Sequence, residues 1–117
     1  MDLQANDLRR SQRDADPLLE RWASDGDSAA LAALFDLAAP RLLALAIHFV
    51  GESARAEDLV QAVFLTLIEK RMQIERGTRA EAWLARVLRN KVIDQRRVRR
   101  EEPLGEPGAL ALADLEA

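Results

Sequence analysis

Between Leu59 and Ile68 the apolar side chains fall at positions 59, 60, 63, 64, 67 and 68, a spacing that gathers them on one face of an α-helix. A half-buried strand would need strict alternation, and this run has none. The same period predicts a helix from about Ser53 to Met72, with Glu57 and Asp58 in its first turn, where acids suit the positive end of the helix dipole. A second stripe of Leu31, Leu34, Phe35, Leu42, Leu45, Ala46 and Phe49 lies between Asp27, a good N-cap residue, and Gly51, a natural terminator. Pro40 interrupts it, which predicts a kink near Leu37 or two abutting helices. Thr78 and Glu81 match the S/T-x-x-E capping box and open a further helix to about Arg100, with Trp83, Leu84, Val87, Leu88 and Val92 inward. Asp16-Pro17 gives an N-cap and a first-turn proline for a short helix ending at Asp25-Gly26.

Every strong pattern in the chain is therefore helical. Two Trp, three Phe and no Tyr against abundant Ala and Leu also favour helices packed through aliphatic side chains. With 117 residues, 49% of them hydrophobic, the expectation is one core in an all-α, compact bundle of three to five helices. The reading divides the chain into a flexible N-terminal arm over 1–15, a helical domain over 16–102, and a linker or tail over 103–117 rich in Pro and Gly.

Several function classes are excluded or disfavoured. The absence of Cys removes disulfides, thiolate metal sites and a Cys nucleophile. His48 is the sole histidine, set between Ile47 and Phe49, and reads as structural, with too few companions for a metal site or an acid/base pair. Glycine-rich phosphate loops are missing, and adjacent carboxylates such as Glu57 and Asp58 do not aim at one point. Neither catalysis nor a cofactor or metal is expected. The polar N-terminus lacks the apolar core of a secretory signal, and the apolar run from Leu37 to Val50 is short and interrupted for a bilayer span. A soluble, cytoplasmic protein without a membrane partner is the expectation.

Charge is the strongest pointer to a partner. The stretch from Arg86 to Arg100 holds seven of the seventeen Lys and Arg and one acid, Asp94, so it is +6 while the remaining residues sum to −9. On helical spacing Arg86, Arg89, Lys91, Arg96, Arg97 and Arg100 spread over a broad basic surface across which a phosphate backbone could lie. A solvated helix end at the negative pole of the dipole is the plainer alternative, and it accounts for one or two cations rather than seven. Trp83 with Thr78, Arg79 and Asn90 offers a stacking surface, polar groups for base edges and cations for phosphates, although a lone Trp is more often core. In the Ala56–Leu65 segment, Glu57, Asp58, Gln61 and Leu65 point outward, either as a protein-docking strip or as an ordinary solvated face.

Taken together, GDSAALAALFDLAAPRLLALA, AEDLVQAVFLTL and AEAWLARVLRNKVIDQRRVRR resemble, in order and spacing, region two of bacterial RNA polymerase sigma factors of the extracytoplasmic-function (ECF) group, over about Leu18 to Arg100. The resemblance implies a transcription initiation domain. It would bind core RNA polymerase through the clamp helices of the β′ subunit, using Glu57, Asp58, Leu59, Gln61, Ala62 and Leu65. It would also read and melt the promoter −10 element by capturing single-stranded non-template bases. The DNA-contacting positions implied are Arg76, Thr78, Arg79, Trp83, Arg86, Arg89, Asn90, Lys91, Asp94, Arg96, Arg97 and Arg100.

An anti-sigma factor is a further partner that the resemblance brings in. The chain departs from the pattern where Ala62 replaces an acid and where Ala80 and Ala85 replace aromatics, which predicts softer docking and weaker strand separation. It also ends near where a linker to a second, −35-reading domain would begin. Two other readings remain open: a helical nucleic-acid-binding module of another kind, and an interaction or decoy domain that binds an anti-sigma factor or polymerase without melting DNA.

Overall fold

The structure is a computed structural model that describes residues 3–100, with side chains described for residues 13–98. Four helices carry the described chain: α1 (Leu3–Asp25), α2 (Ser28–Val50), α3 (Ser53–Glu69) and α4 (Ala80–Arg100), with a short 3-10 turn at Arg71–Gln73. No strand occurs among the described residues, so the all-α expectation holds. The tail expected over 103–117 lies outside the described residues.

α2 is the central element and packs against each of the other three helices. Asp27 caps it as the sequence implies, its carboxylate accepting from the N–H groups of Ala29 and Ala30 at 3.0 and 3.2 Å. Gly51 ends it in the left-handed conformation at φ 78°, which a glycine adopts without the Cβ penalty. Pro40 is exposed and lies within one continuous helix, where two abutting helices were the alternative expectation.

The buried row of α2 is Ala30, Leu34, Ala38, Leu42 and Ala46, every fourth residue with Ala and Leu alternating. Small residues on that row let neighbouring helices approach closely. Phe35, expected in the stripe, is instead 41% exposed and packs edge-on against Phe64 with ring centroids 4.8 Å apart. By length and composition α2 could cross a membrane, because the helix continues through residues that the sequence suggested would interrupt it. Its Ala/Leu row is committed to the helical core.

Helix α1 differs most from expectation. Residues 3–15, read as a loose arm, are helical, and Asp16-Pro17 lies inside α1 rather than at its start. Ala15, Leu19 and Trp22 are buried, which anchors this helix through its own apolar side. The Asp16 carboxylate still caps a helix, but a different one: it accepts from the N–H of Ala80, the first residue of α4, at 2.8 Å. The Thr78–Glu81 capping box is replaced accordingly. Thr78 donates its hydroxyl to the Glu75 carbonyl at 2.6 Å, and Glu81 forms an ion pair with Arg41 of α2.

α3 begins at Ser53, so Glu57 and Asp58 fall in its second turn rather than its first. Ala56, Leu59, Val60, Val63, Phe64 and Leu67 face the core, while Ile68, expected with them, is 47% exposed. Arg71 closes the far end. Its Nε donates to the Trp22 carbonyl at 2.8 Å and its guanidinium lies 5.6 Å from the Trp22 ring centroid, while the Trp22 indole N–H donates to the Leu67 carbonyl at 3.3 Å. Gly26 at φ 65° sits so near that guanidinium that an added Cβ would lie 3.0 Å from its central carbon.

Removing the trans cap should be measurable. Asp16→Ala is expected to cost about 1 kcal/mol in urea denaturation, in the range of other lost helix caps. Asp16→Asn, which keeps an acceptor oxygen, should cost less; equal losses would show that the contact to Ala80 is not what holds α4.

Candidate nucleic-acid interface

α4 presents two opposite sides. Inward, Ala80, Leu84, Leu88 and Val92 are each 0–1% exposed at four-residue spacing. Outward, Arg79, just before the helix, and Arg86, Asn90, Asp94 and Arg97 are exposed at spacings of three to seven, which places them along the side away from the core. Trp83, half-buried, packs against the edge of the core and falls in register between Arg79 and Arg86. Of the two sequence readings of Trp83, core residue or stacking surface, the structure gives it a core contact on one part of the ring and leaves the rest exposed. Arg89 is exposed and Lys91 half-buried on the flanks.

Arg96 does not belong to the outward surface. It continues the inward row, is 8% exposed, and donates from one terminal nitrogen to the Phe49 carbonyl at 2.9 Å, tying the end of α4 to the end of α2. A guanidinium can occupy a rim of the core because its stem is apolar and one of its terminal nitrogens finds a carbonyl in α2's last turn. Sequence spacing could have shown this, since 96 continues 80, 84, 88 and 92. The side chain of Arg100 lies outside the described residues.

Ahead of α4, the loop 74–78 forms a cavity with the outer side of α1, lined by Leu19, Glu20, Ala23, Ser24, Ile74, Glu75, Arg76, Gly77 and Thr78. Arg76 is exposed and Thr78 half-buried at its rim. The loop is held from within: the N–H and the hydroxyl of Thr78 both reach the Glu75 carbonyl, at 3.2 and 2.6 Å. Gly77 makes the reversal at φ 78°. Sequence reading found Arg76 and Thr78 but missed the α1 wall, whose contribution depends on a packing partner more than fifty residues away.

A second surface runs along α3. Glu57, Asp58, Gln61 and Leu65 are exposed as expected, Leu65 at 57%, and Ala62 is half-buried. Leu59 is corrected: at 1% exposure it is a core residue and cannot meet a partner. The strip continues through Ile68 and then Met72, which is 83% exposed on the 3-10 turn. The spacing of three from Leu65 to Ile68 and four from Ile68 to Met72 was the available signal, masked by their apolar character. Beside this strip Phe35, Ala39, Pro40, Leu43 and Val60 form an apolar groove with Glu57 and Gln61 at its edge. His48 is exposed on α2, its ring edge-on to Phe49 at 5.3 Å, and among the described residues no cluster of His, Asp and Glu could hold a metal.

Residues 34–102 match the family model for sigma-70 region 2. Among curated proteins, the chain is 40% identical over 82 residues to the RNA polymerase sigma factor CarQ of Myxococcus xanthus, covering 70% of this chain and 47% of that protein. It is 38% identical over 76 residues to the ECF RNA polymerase sigma factor SigL of Mycobacterium tuberculosis, covering 64% and 43%. It is 36% identical over 74 residues to the ECF RNA polymerase sigma factor EcfG of Rhodopseudomonas palustris, covering 63% and 41%. The chain spans a little under half the length of these relatives. No solved structure matches it.

The two adjacent arginines of α4 should separate in a stability assay. Arg96→Ala is expected to lower unfolding free energy by about 1–3 kcal/mol, through the orphaned Phe49 carbonyl and lost stem packing. Arg97→Ala should stay within about 0.5 kcal/mol of the parent, as exposed substitutions do. Matching losses in chemical denaturation would refute the assignment of inward and outward roles.

Proposed function

We propose that this chain, which belongs to the sigma-70 region 2 family and within it to the extracytoplasmic-function group, holds an opened promoter strand on α4 and the loop before it while α3 docks on core RNA polymerase. As a sigma region 2 domain it is a non-enzymatic part of transcription initiation. The observation that carries the fuller reading is the single outward row Arg79, Arg86, Asn90, Asp94 and Arg97, three cations to one acid, which starts beside the loop cavity and has Trp83 next to it.

The arginines draw in the promoter by releasing counterions from its phosphates, a contribution that carries no sequence information and falls steeply with salt. Reading follows when a base of the −10 non-template strand leaves the stack, at a cost of a few kcal/mol, and enters the cavity under loop 74–78. Trp83 serves as the ring against which the neighbouring base rests, and Asn90 offers an amide to a base edge. Arg96 has a different task, holding α4 at the angle that presents this row.

Docking on the β′ clamp helices falls to the α3 strip: Glu57, Asp58 and Gln61 at its polar end, Leu65, Ile68 and Met72 at its apolar end. Large exposed apolar side chains in one line favour a protein partner over solvent. Polymerase bound there keeps the strand close, so that weak base capture becomes effectively intramolecular. The apolar groove beside the strip supports protein docking as well, and an anti-sigma factor or a purely interacting role is the competing use of the same face.

Two measurements test the reading. Core polymerase should be retained by the parent chain and several-fold less by Gln61→Ala or Met72→Asp; equal retention of all three removes the α3 strip from the account. In a salt series with a single-stranded −10 oligonucleotide, Arg97→Ala should reduce the slope of log affinity against log salt by about 0.7, the value for one phosphate contact on a single strand. If Arg86→Ala with Arg97→Ala leaves both affinity and slope unchanged, the domain acts by protein interaction alone.

A further inference from the structure

The loop cavity has two walls of different origin. Loop 74–78 lies inside the segment that matches sigma region 2, residues 34–102, whereas Leu19, Glu20, Ala23 and Ser24 come from α1, before that match begins. Leu19 is 1% exposed and belongs to the core, so it supplies apolar floor. Ala23 and Ile74 are half-buried and extend that apolar lining with little bulk on the α1 side. Glu20 and Ser24 are exposed, one helical turn apart, and therefore adjacent along the mouth.

The lining is mixed at its rim, where Ser24 and Arg76 can donate and the Glu75 side chain adds a second carboxylate, and Glu20 is the acceptor that α1 contributes. The N–H and hydroxyl proton of Thr78 are both directed to the Glu75 carbonyl, so two of the loop's own donors are spent inside the loop. Glu20 has no ion-pair or hydrogen-bond partner among the described residues, which leaves its carboxylate available to a guest. Arg71 fixes the spacing between the walls, because it joins the turn after α3 to the Trp22 carbonyl of α1. A flat ring entering this space meets apolar surface on its faces and an ionised, acceptor-only carboxylate at its edge.

We propose that Glu20 is a specificity-determining residue of the cavity: its carboxylate accepts a hydrogen bond from the amino group of a captured base, so cytosine, adenine or guanine is favoured over thymine. The proposal rests on the base-capture reading above and adds to it which bases the cavity accepts. Cytosine, adenine and guanine each present an exocyclic amine to such an acceptor. Thymine presents two carbonyl oxygens flanking a single N–H, and an oxygen set against the Glu20 carboxylate leaves two acceptors facing each other without a proton. Selectivity therefore arises from α1, and it can change without altering the basic row of α4.

The test uses the full chain at low salt with short oligothymidylates that carry one guest base at the centre, so that only the guest can satisfy Glu20 in any register. Parent protein should bind the cytosine, adenine and guanine guests about tenfold tighter than all-thymine strand, the range of one charge-assisted hydrogen bond. Glu20→Gln, at an exposed helix position, should narrow that ratio to about twofold or less, because its amide can also donate to a thymine carbonyl. Arg86→Ala should weaken every oligonucleotide alike and keep the parent's ratio.

A 2-aminopurine guest reports unstacking independently of the affinity ratio. If its fluorescence changes on binding while guest preference is absent, or is unaltered in Glu20→Gln, the role of Glu20 is overturned and base capture stands. If the fluorescence does not change with parent protein or variant, base capture fails and this inference falls with it.

Discussion

Helix α4 turns a fixed row of cations to solvent because its opposite side is fully occupied. Ala80, Leu84, Leu88 and Val92 bury one row against the bundle, and the helix has no freedom to roll its outward arginines toward the core. The outward side then carries what a solvated helix side can carry, and here that is a concentration of positive charge in a chain that is acidic overall. Both ends of the row are pinned by contacts distant in sequence. Asp16 of α1 accepts from Ala80 at the start, Arg96 reaches the Phe49 carbonyl near the finish, and Arg41 pairs with Glu81 between α2 and the first turn. These contacts are modest individually, but each fixes a different part of the helix.

The same logic sets the exposed side of α3. α3 gives its Leu59, Val60, Val63, Phe64 and Leu67 side to the core, which leaves Glu57, Asp58, Gln61, Leu65 and Ile68 outside in one strip. The loop between α3 and α4 is the hinge of the arrangement in a structural sense: Arg71 locks its start to α1 and Thr78 locks its end on Glu75. A cavity persists between them because Ala23 on one wall and Gly77 on the other contribute almost no side-chain volume. Basic row, cavity and α3 strip thus occur together in one small bundle of the sigma region 2 family.

Much of this was legible in the sequence wherever local chemistry decides the outcome. Asp27 and Gly51 bound α2 as their side chains dictate, and the 3.6-residue period located α3. Reading failed where a distant partner overrides a local signal. Asp16-Pro17 looks like a helix start, yet Ala15 and Leu19 bury on the same side of α1 and carry the helix through it. The Thr78–Glu81 pair looks like a capping box, yet Arg41 takes Glu81 and Asp16 takes the free N–H. In the site, apolar or charged type misled in both directions: Ile68 is outside, Leu59 and Arg96 are inside, and only their register along the helix separates them. Glu20 carried no sequence signal, because the other wall of its cavity is a loop more than fifty residues on.

The central claim is that the outward row of α4 and the adjoining loop form one nucleic-acid surface distinct from the α3 strip. The most direct measurement is an amide chemical-shift map of the isotopically labelled chain during titration with a single-stranded −10 oligonucleotide. Shifts should concentrate at Arg76–Trp83, Arg86, Asn90 and Arg97, with the neighbouring Glu20–Ser24 turn, and leave Glu57–Leu65 unmoved. Perturbations centred on the groove of Phe35, Leu43 and Val60, or no localised perturbation at low salt, would contradict the account.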